Sequence, residues 1–545
     1  MPGFSMSENT ICNVNLLPLG LQGFSNIRAG KMAYVDKTEL IAKIANQRTP
    51  IFLSRPRRFG KSLLINTLKS LFTKGLDDFR GLSIEKMWND SVYGVVHLDF
   101  SSIADSNAAD FKRDLVELVA QQFKSTTVQK YDSFGVRSPS IVLSEIVQDL
   151  DDNSIVLLID EYDAPLTHHI HQPDDLKNII SILSNFYATI KQFTDKFRLI
   201  FITGVARISH VSIFSAFNNL VDISLDSEFN SLLGFTKNDL EKYFDIYVAN
   251  SANILGMTKD DVYKRLEQYY DGFQFSLEAE ETVYNPWSVL SFFKFSKKAF
   301  TNYWFKSSGS SSIIMQYLRT SRSFKALEYQ DIDICIDKDK LSNQYDISDI
   351  PNDILLLQIG YLTLRKKTKK LAKLVFPNTE VEDSILKLFL SARDLEPDVE
   401  DYCEIDGFIA CIDRKDLHSI IDIFNCILND CVSYDGNIFN DERSVRDVIY
   451  AAIPQAEDLQ KIKEHIYVKG RSDLELITRK IRMVIEFKRT RPNRNAKESL
   501  DEAICQIQSK NYGIGPFQKK ELYRVAMVIS TEKKAILEDF SREFF

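Results

Sequence analysis

The feature that most constrains the fold is a basic turn of eight residues, RPRRFGKS, between two apolar segments of different periodicity. Before the turn, Ile51, Phe52 and Leu53 form an apolar run that ends in Ser54 and is typical of a buried strand. After it, residues 62–72 (SLLINTLKSLF) carry apolar side chains at helical spacing. A strand, a turn and a helix in this order predict part of an α/β sheet.

The turn ends in Gly60, Lys61 and Ser62, which match the second half of a P-loop. In a P-loop, backbone N–H groups and a helix N-terminus hold phosphate, the lysine reaches the terminal phosphates, and the serine ligates magnesium. Arg55 stands where the pattern expects its first glycine. The turn by itself therefore leaves an alternative open, a basic turn that only caps a helix.

Two further apolar strands end in residues suited to nucleotide chemistry. Residues 155–159 (IVLLI) are continuously apolar, as in a parallel strand covered on both faces, and Asp160 and Glu161 follow them. A second run, Leu199 to Ile202, is followed by Thr203. Asp160 would hold magnesium, Glu161 would polarise the attacking water, and Thr203 would place a hydroxyl near the γ-phosphate. The three strand ends together predict an ATP site.

These motifs resemble those of the AAA-ATPase-like family. The resemblance runs from Pro18 to about Asn230, and the family carries RPRRFGKS as its own P-loop variant. The matching motifs are YVDKT (34–38), FLSRPRRFGKS (52–62), LLIDEYDAP (157–165), SIFSAFNNLVDISL (212–225), and then YDGFQFS (270–276) and YNPWSVLSFF (284–293) of a helical region after the ATPase core. The resemblance implies an ATP site formed by Arg57, Arg58, Phe59, Gly60, Lys61, Ser62, Leu63, Asp160 and Thr203, with Mg²⁺ on Ser62 and Asp160.

Basic residues beside this site leave two interpretations open. Arg57, Arg58 and Arg207 could neutralise charge that develops on phosphate, because guanidinium groups bind phosphate oxygens well. They could equally pair with Asp163 or with a neighbouring segment. The sequence does not decide between these roles.

Histidine and cysteine do not predict a metal centre. His168, His169 and His171 lie together, but a local cluster without a companion Cys or distant His is typical of a solvated loop. The seven cysteines are scattered, and the nearest pair, Cys426 and Cys431, lacks the C-x-x-C spacing of a zinc knuckle. We expect reduced thiols.

A second constellation of charged residues lies in residues 470–490, GRSDLELITRKIRMVIEFKRT. If two strands meet at a turn centred between Arg479 and Lys480, Asp473 lies directly opposite Glu486. Cross-strand neighbours have Cβ atoms about 5 Å apart. Lys488 is two residues beyond Glu486 and therefore projects from the same face of the strand.

Two carboxylates that face each other repel, which costs free energy unless a cation lies between them. Oxygen ligands at this spacing suit Mg²⁺ or Mn²⁺. A bound metal can activate water, while the ammonium of Lys488 would position or deprotonate the nucleophile. This arrangement predicts phosphodiester hydrolysis. The alternative is an exposed, salt-bridged hairpin in which Asp473 and Glu486 only pair with Lys488 and Arg471.

Charge is distributed unevenly along the chain. With 76 acidic and 68 basic residues the net charge is −8, which argues against a surface uniformly suited to nucleic acid. Residues 469–494, however, contain nine Lys or Arg and three Asp or Glu, a local balance of +6. A phosphate backbone would be attracted there, although a solvated basic face is the alternative.

The C-terminal pattern resembles the PD-(D/E)XK nuclease superfamily, in the form that commonly follows this kind of ATPase. Besides GRSDLEL and IEFK, a helix predicted from Asp441 to Ala452 offers Glu442 in NDERS, and a later helix offers Gln506 in AICQIQSKNYG. Asp473 follows Ser472 where the superfamily often has Pro, which removes no ligand. The resemblance implies a metal held by Glu442, Asp473 and Glu486 and catalysis by Asp473, Glu486, Lys488 and Gln506.

At 545 residues the chain is long enough for several domains. We expect an α/β protein with a P-loop AAA-like ATPase core over residues 1–234, a helical lid over 235–350, a connecting region with a β-hairpin over 351–435, and an α/β PD-(D/E)XK nuclease-like domain over 436–545. No apolar run approaches the roughly 18 residues of a spanning helix, and the N-terminus lacks a secretory signal pattern. We therefore expect a cytoplasmic protein that does not engage membranes.

The predicted function is ATP binding and hydrolysis coupled to metal-dependent cleavage of nucleic acid, with DNA as the favoured substrate. The expected partners are ATP, Mg²⁺ or Mn²⁺ and nucleic acid, and self-association into a homo-oligomer is left open. The alternative is a nucleotide-controlled switch whose nuclease-like domain only binds nucleic acid or protein.

Overall fold

The computed structural model describes seventeen stretches of the chain, and every structural statement below concerns these residues. They are 16–126, 137–170, 172–207, 220–298, 300–304, 314, 335–342, 345, 350–368, 370–391, 398–432, 442–454, 456, 458–467, 470–490, 495–514 and 520–544. The chain folds as two compact units, the first formed mainly by the chain up to Glu382 and the second mainly by the chain from Asp383 onwards. No helix in these stretches is long and apolar enough to span a membrane.

A five-stranded sheet forms the centre of the first unit. All its strand pairs are parallel, in the order β2-β3-β4-β1-β5. Every residue of β3 and β4 is buried, which explains the continuous apolar runs in the sequence. The strands are β1 (Ile51–Ser54), β2 (Gly94–Asp99), β3 (Ile155–Asp160), β4 (Phe197–Gly204) and β5 (Val221–Asp222).

Helices connect these strands and cover the sheet. An apolar cluster of this unit combines residues of β2, β3 and β4 with residues of α4, α5 and α7. The helices are α1 (Phe24–Ala29), α2 (Thr38–Ala45), α3 (Lys61–Lys74), α4 (Ala108–Thr126), α5 (Pro139–Val147), α6 (Ala164–His168) and α7 (Pro173–Gln192).

The chain after the parallel sheet is mainly helical. A small antiparallel sheet of order β6-β8-β7 follows the first four of these helices, and its strands are β6 (Cys335–Asp337), β7 (Thr363–Lys366) and β8 (Leu371–Val375). The helices are α8 (Lys237–Tyr243), α9 (Asp245–Leu255), α10 (Lys259–Tyr270), α11 (Pro286–Lys294), α12 (Lys338–Ser342), α13 (Asn352–Gln358) and α14 (Thr379–Ser391).

The start of α11 follows directly from its sequence, YNPWS. The side chain of Asn285 accepts a hydrogen bond from the backbone N–H of Ser288, which is the usual role of an N-cap residue. Pro286 is the first helical residue, where a missing N–H costs nothing. Trp287 is thereby fixed in the first turn of this helix.

The second unit is built on a mixed sheet of order β13-β12-β11-β10-β9. Only β11 and β12 are parallel, and the other pairs are antiparallel. The strands are β9 (Gln460–Tyr467), β10 (Gly470–Ile477), β11 (Ile481–Arg489), β12 (Glu521–Ser530) and β13 (Ala535–Phe544), and the helices are α15 (Ile405–Arg414), α16 (Leu417–Val432), α17 (Glu442–Ala452) and α18 (Ala496–Lys510).

The central strand β11 has helices on both of its faces. Residues such as Met483, Ile485 and Phe487 pack with α15, α16 and α17, whereas Val484 packs with Leu500 and other residues of α18. Alternate residues of β11 therefore enter two different cores. Each unit is an α/β structure, as predicted.

Candidate functional site

The P-loop borders a cavity whose volume is about 560 Å³. Gly60 has φ +97°, a conformation that favours glycine, and it caps the N-terminus of α3. The volume suits a nucleotide-sized ligand. The predicted ATP-site residues that line the cavity are Arg57, Arg58, Phe59, Gly60, Lys61, Ser62 and Leu63, together with Glu161.

Lys61 is held within the loop. Its ammonium donates hydrogen bonds to the carbonyls of Arg55 (3.1 Å) and Pro56 (3.3 Å), and only 4% of the residue is exposed. These contacts fix the amine beside the backbone amides that begin α3. A cation at this helix N-terminus adds to the helix dipole and creates a site for an anion.

Asp160 and Thr203 lie together on neighbouring strands but do not line the cavity. The hydroxyl of Thr203 donates to Asp160 Oδ1 at 2.6 Å, and both residues are buried. Glu161, the next residue, has φ +52° and directs its side chain to the cavity wall. A left-handed glutamate at a strand end is strained, and such strain is concentrated at functional sites.

Asp163 and Arg207 have partners other than each other. Asp163 accepts hydrogen bonds from the amides of Val205 (3.0 Å) and Ala206 (2.7 Å). Burial, with a contribution from the charge of Glu161, raises its pKa to about 6. Arg207 forms an ion pair with Asp222 at 2.5 Å and is buried. It does not line the nucleotide cavity, so it belongs with a neighbouring segment.

Arg55, which replaces the first glycine of the usual loop, points away from the phosphate position. Its guanidinium donates to the carbonyls of Ser54 (2.9 Å), Ser224 (2.7 Å) and Phe229 (3.0 Å). It also lies over the ring of Phe275, 4.1 Å from the centroid. Burial lowers its pKa to about 9. A long side chain is tolerated here because it fills a space behind the loop.

Asp99 and Ser101 also line the cavity, although neither was identified from the sequence. Asp99 is the last residue of β2 and pairs in register with Asp160. Its carboxylate accepts hydrogen bonds from the N–H and the hydroxyl of Ser101. The apolar run that ends in this aspartate, GVVHLD, resembles the run before Asp160 and was the available signal.

His168 and His169 of the histidine cluster have different environments in the structure. His168 pairs with Asp105 at 2.6 Å, whereas His169 is buried with Nδ1 2.8 Å from the Pro165 carbonyl. His171 lies outside the described residues. Within the described stretches no group of three or more His, Cys, Asp or Glu side chains is arranged to hold a metal.

The second site is organised by the hairpin of β10 and β11. Leu474 pairs with Ile485, which confirms the predicted register and places Asp473 opposite Glu486. One oxygen of Asp473 accepts a hydrogen bond from the N–H of Phe487 at 2.7 Å. This contact fixes the carboxylate against the neighbouring strand.

Glu486 carries the least satisfied carboxylate of this site. The residue is fully buried, and Oε1 accepts a hydrogen bond from Lys488 at 2.9 Å. Oε2 is also buried and has no hydrogen-bond partner among the described residues. Burial, and then the charge of Asp473, raises the pKa of Glu486 to about 8. Burial likewise raises the pKa of Asp473.

Lys488 connects these carboxylates with Glu442. Its ammonium lies 2.9 Å from Glu486 and 3.8 Å from Glu442, the first residue of α17. Burial lowers the pKa of Lys488, but the charge and hydrogen bond of Glu486 together with the charges of Asp473 and Glu442 outweigh this effect, and the net pKa is raised. Glu442 also accepts a hydrogen bond from the N–H of Arg489 at 2.9 Å. The buried arrangement does not match an exposed, salt-bridged hairpin.

Gln506 belongs to the same region through Tyr512. Its amide donates to the Tyr512 hydroxyl at 3.4 Å, and Tyr512 is buried. Burial raises the pKa of Tyr512, and the charges of Glu486 and Asp473 raise it further. Sequence reasoning did not identify Tyr512. Gly470 makes room for it, since a Cβ there would lie 2.7 Å from the hydroxyl.

Arg446 is a second residue that sequence reasoning missed. It lies one helical turn after Glu442 on α17, is buried, and bonds Asp447 at 2.8 Å. Its positive charge opposes the effect of burial on the pKa of Asp473. The i, i+4 spacing from Glu442 was the available signal, because residues so spaced share a helix face.

The donor set fits a divalent cation. The buried carboxylate of Glu486 opposes the half-buried carboxylate of Asp473, and one oxygen of Glu486 lacks a partner among the described residues. Magnesium keeps several waters and binds through one or two carboxylates, so a site without three protein side-chain ligands suits it.

Comparisons with known proteins identify the families of two parts of the chain. A family model described as a predicted AAA-ATPase matches residues 18–214, and a PD-(D/E)XK nuclease superfamily model matches residues 440–539. An uncharacterized protein in the vnfD 5' region of Azotobacter chroococcum mcd 1 is 32% identical over 388 residues, which cover 69% of this chain and 70% of that protein. The chain belongs to the AAA-ATPase-like family and has a C-terminal PD-(D/E)XK nuclease superfamily domain.

Solved structures give only slight likenesses. A DNA replication initiation factor is 14% identical with a TM-score of 0.21, over 59% of this chain and 75% of that one. A signal transduction ATPase with numerous domains and a tetratricopeptide repeat sensor, from Pyrococcus horikoshii, is 11% identical with a TM-score of 0.21, over 77% of this chain and 53% of that one. Likenesses of this size inform neither the fold nor the function.

Proposed function

We propose that the protein binds and hydrolyses ATP in its first unit and cleaves nucleic acid, most readily DNA, in its second unit with Mg²⁺ or Mn²⁺. The observation that carries the nuclease proposal is the convergence of Asp473, Glu486 and Lys488, with one buried Glu486 oxygen lacking a partner among the described residues. A buried carboxylate that faces a second carboxylate costs stability, and a bound cation would remove that cost.

For the ATPase, the backbone amides after Gly60 and the ammonium of Lys61 would bind the phosphates. Ser62 and Asp160 would hold magnesium, which neutralises charge on the phosphate oxygens when bound. Glu161 would orient and polarise the attacking water from the cavity wall. Thr203, through its hydrogen bond to Asp160, would fix the direction of that carboxylate.

For the nuclease, Asp473 and Glu486 would hold the cation with support from Glu442. The bound cation would supply Lewis-acid stabilisation of the phosphate and an activated water. Lys488 would orient the attacking water and stabilise charge on the phosphate oxygens. Gln506 would assist in positioning the substrate beside the hairpin.

The proposal has two further parts. Basic residues would attract the nucleic acid, and the bound nucleotide would change the conformation of the protein. The local charge of +6 over residues 469–494 would attract a phosphate backbone. Coupling requires that ATP favour one conformation of the protein over another, because a ligand shifts an equilibrium only through different affinities for its states.

A cleavage assay on the purified chain tests the nuclease proposal. Linear and circular DNA and single-stranded RNA are incubated with Mg²⁺ or Mn²⁺, with and without ATP. We expect cleavage of DNA that Lys488→Ala removes while ATP binding is retained. Absence of cleavage under every combination, or normal cleavage by Lys488→Ala, would refute the assignment.

A nucleotide-controlled switch is the second candidate. The observation that favours it is the lack, in the described part of the chain, of three side chains arranged as metal ligands. In that case the biological effect would need Lys61 but neither Glu486 nor Lys488. DNA binding without cleavage in Mn²⁺, unaltered by Glu486→Gln, would support the switch.

A further inference from the structure

The phosphate-binding turn packs on the segments that follow the parallel sheet. The ring of Phe59 lies 4.8 Å from that of Phe273 and 5.3 Å from that of Phe275, measured between centroids. The guanidinium of Arg55 also contacts the ring of Phe275. A glycine-rich loop would have none of these side chains. In this protein the loop therefore packs directly on the helical region, and close-packed contacts of this kind transmit strain from one segment to the other.

Arg58 makes a contact of a different kind. Its guanidinium carbon lies 4.4 Å from the ring centroid of Trp287, in the first turn of α11. Both residues line the nucleotide cavity, and Arg58 is exposed to it. Arg58 has φ +70°, so its backbone occupies the left-handed region that non-glycine residues avoid. Backbone strain of this kind is concentrated at functional sites.

Glu161 lines the same cavity as Arg58 and Trp287. Burial and the charge of Arg57 lower the pKa of Arg58, and the charge of Glu161 opposes them. The guanidinium therefore contacts an aromatic ring on α11 and is affected by the charge of the carboxylate that would orient the attacking water. The terminal phosphate of a bound ATP would lie in the cavity that all three residues line.

We propose that Arg58 detects the γ-phosphate and relays its presence to α11 through Trp287. The inference rests on the proposed ATP binding and adds the residue that distinguishes ATP from ADP. With ADP the guanidinium stays on the indole ring. With ATP it leaves the ring for the terminal phosphate, because charge-assisted bonds to phosphate are stronger than a cation–π contact. The release of Trp287 changes the stability of the first turn of α11.

The experiment compares the full chain with Arg58→Gln, Trp287→Leu and Lys294→Gln. Lys294 provides a matched control, since its ammonium lies 5.8 Å from the ring of Phe295 at the far end of α11 and does not line the cavity. Calorimetric titration gives the affinities for ADP and a non-hydrolysable ATP analogue. Hydrogen exchange of residues 286–294 reports the state of α11. Circular dichroism verifies folding.

In the wild type we expect the ATP analogue, but not ADP, to change exchange in α11. Arg58→Gln should weaken binding of the analogue on the order of tenfold, as expected for the loss of a charged phosphate contact, and should leave ADP affinity within about twofold. It should also abolish the exchange response, as should Trp287→Leu. Lys294→Gln should behave as the wild type.

Equal weakening of both nucleotides by Arg58→Gln, or an exchange response retained in this variant, would overturn the inference while ATP binding stands. A response retained in Trp287→Leu would overturn the relay. A wild type that binds neither nucleotide would refute the proposed ATP function itself, so the two failures are distinguishable.

Discussion

The guanidinium of Arg55 lies 4.1 Å from the ring centroid of Phe275, in a motif that begins more than two hundred residues further along the chain. The contact is accompanied by hydrogen bonds to three backbone carbonyls. A residue at the place of a P-loop glycine thus stabilises the packing between the loop and the helical region.

Arg55→Gly should therefore destabilise the first unit although it restores the more usual loop sequence. Three buried carbonyls would lose their donor, and we expect a loss of roughly 3 to 5 kcal/mol in the free energy of unfolding. Chemical denaturation measures it. Arg55→Lys, which keeps the charge but lacks the forked donor, should recover only part of the loss. Unchanged stability of Arg55→Gly would contradict this role.

Asp163 should give the first unit a defined pH dependence. Its pKa is raised from 3.8 to about 6 in the folded protein, so between these values the folded state holds a proton that the unfolded state has lost. Its contribution to the free energy of unfolding is therefore fully present below about pH 4 and falls as the pH rises to 6, by up to about 3 kcal/mol.

Denaturation of the wild type and Asp163→Asn at several pH values checks this expectation. The variant cannot titrate, and its amide oxygen can accept both contacts, because Val205 and Ala206 donate to the same oxygen of Asp163. Its free energy of unfolding relative to that of the wild type should therefore rise between pH 4 and pH 7, as the wild type loses the proton that stabilises its buried carboxyl. A difference that does not change with pH would show that Asp163 does not titrate in this window.

Glu486→Gln should separate activity from stability. At pH 7 and without metal, Glu486 is mostly protonated because its pKa is about 8, and glutamine has nearly the same shape. We expect a change in unfolding free energy of less than about 1 kcal/mol, and a loss of cleavage of more than about a hundredfold, because the amide is a poor cation ligand. Thermal unfolding and the cleavage assay measure the two quantities on one preparation. A large loss of stability would indicate a structural role instead.

Tyr512→Phe tests the residue that packs against Gly470. The variant removes one hydroxyl, and with it the partner of Gln506, while the ring remains in place. We expect cleavage to fall roughly tenfold, with a stability loss of about 1 kcal/mol for a lost neutral hydrogen bond. Tyr523→Phe is the matched control, since its hydroxyl bonds the Lys415 carbonyl. Equal effects of both variants on cleavage would contradict a role at the site.

Local sequence patterns predict the sites because both depend on where strands end and how they pair. Asp160 follows a continuously apolar run, and such runs form the interior strands of parallel sheets. Asp473 opposes Glu486 because the length of the turn fixes which residues of the two strands pair. Side chains alternate between the two faces of the sheet along each strand, so the pairing also fixes the face. Neither conclusion requires knowledge of distant contacts.

Other parts of the sites depend on contacts between distant segments and could not be predicted in this way. The direction of Arg55 is set by Phe275 and by carbonyls of Ser224 and Phe229. Tyr512 reaches the region of Gln506 and Glu486 because Gly470 has no Cβ. A sequence pattern gives the residue types, but the rotamer of each side chain is selected by neighbours that come from distant parts of the sequence.

The turn between β10 and β11 is short, and its length sets the register in which the two strands pair. A change in the number of its residues would therefore disturb the site. Glu486 and Lys488 share a face with Asp473 only in the observed register. One inserted residue between Thr478 and Ile481 that shifted the pairing would turn both side chains into the apolar core beneath α17, and bring Phe487 to the position of the acid. Natural or engineered variation should therefore accumulate elsewhere on the surface of this unit and leave the number of residues in this turn constant.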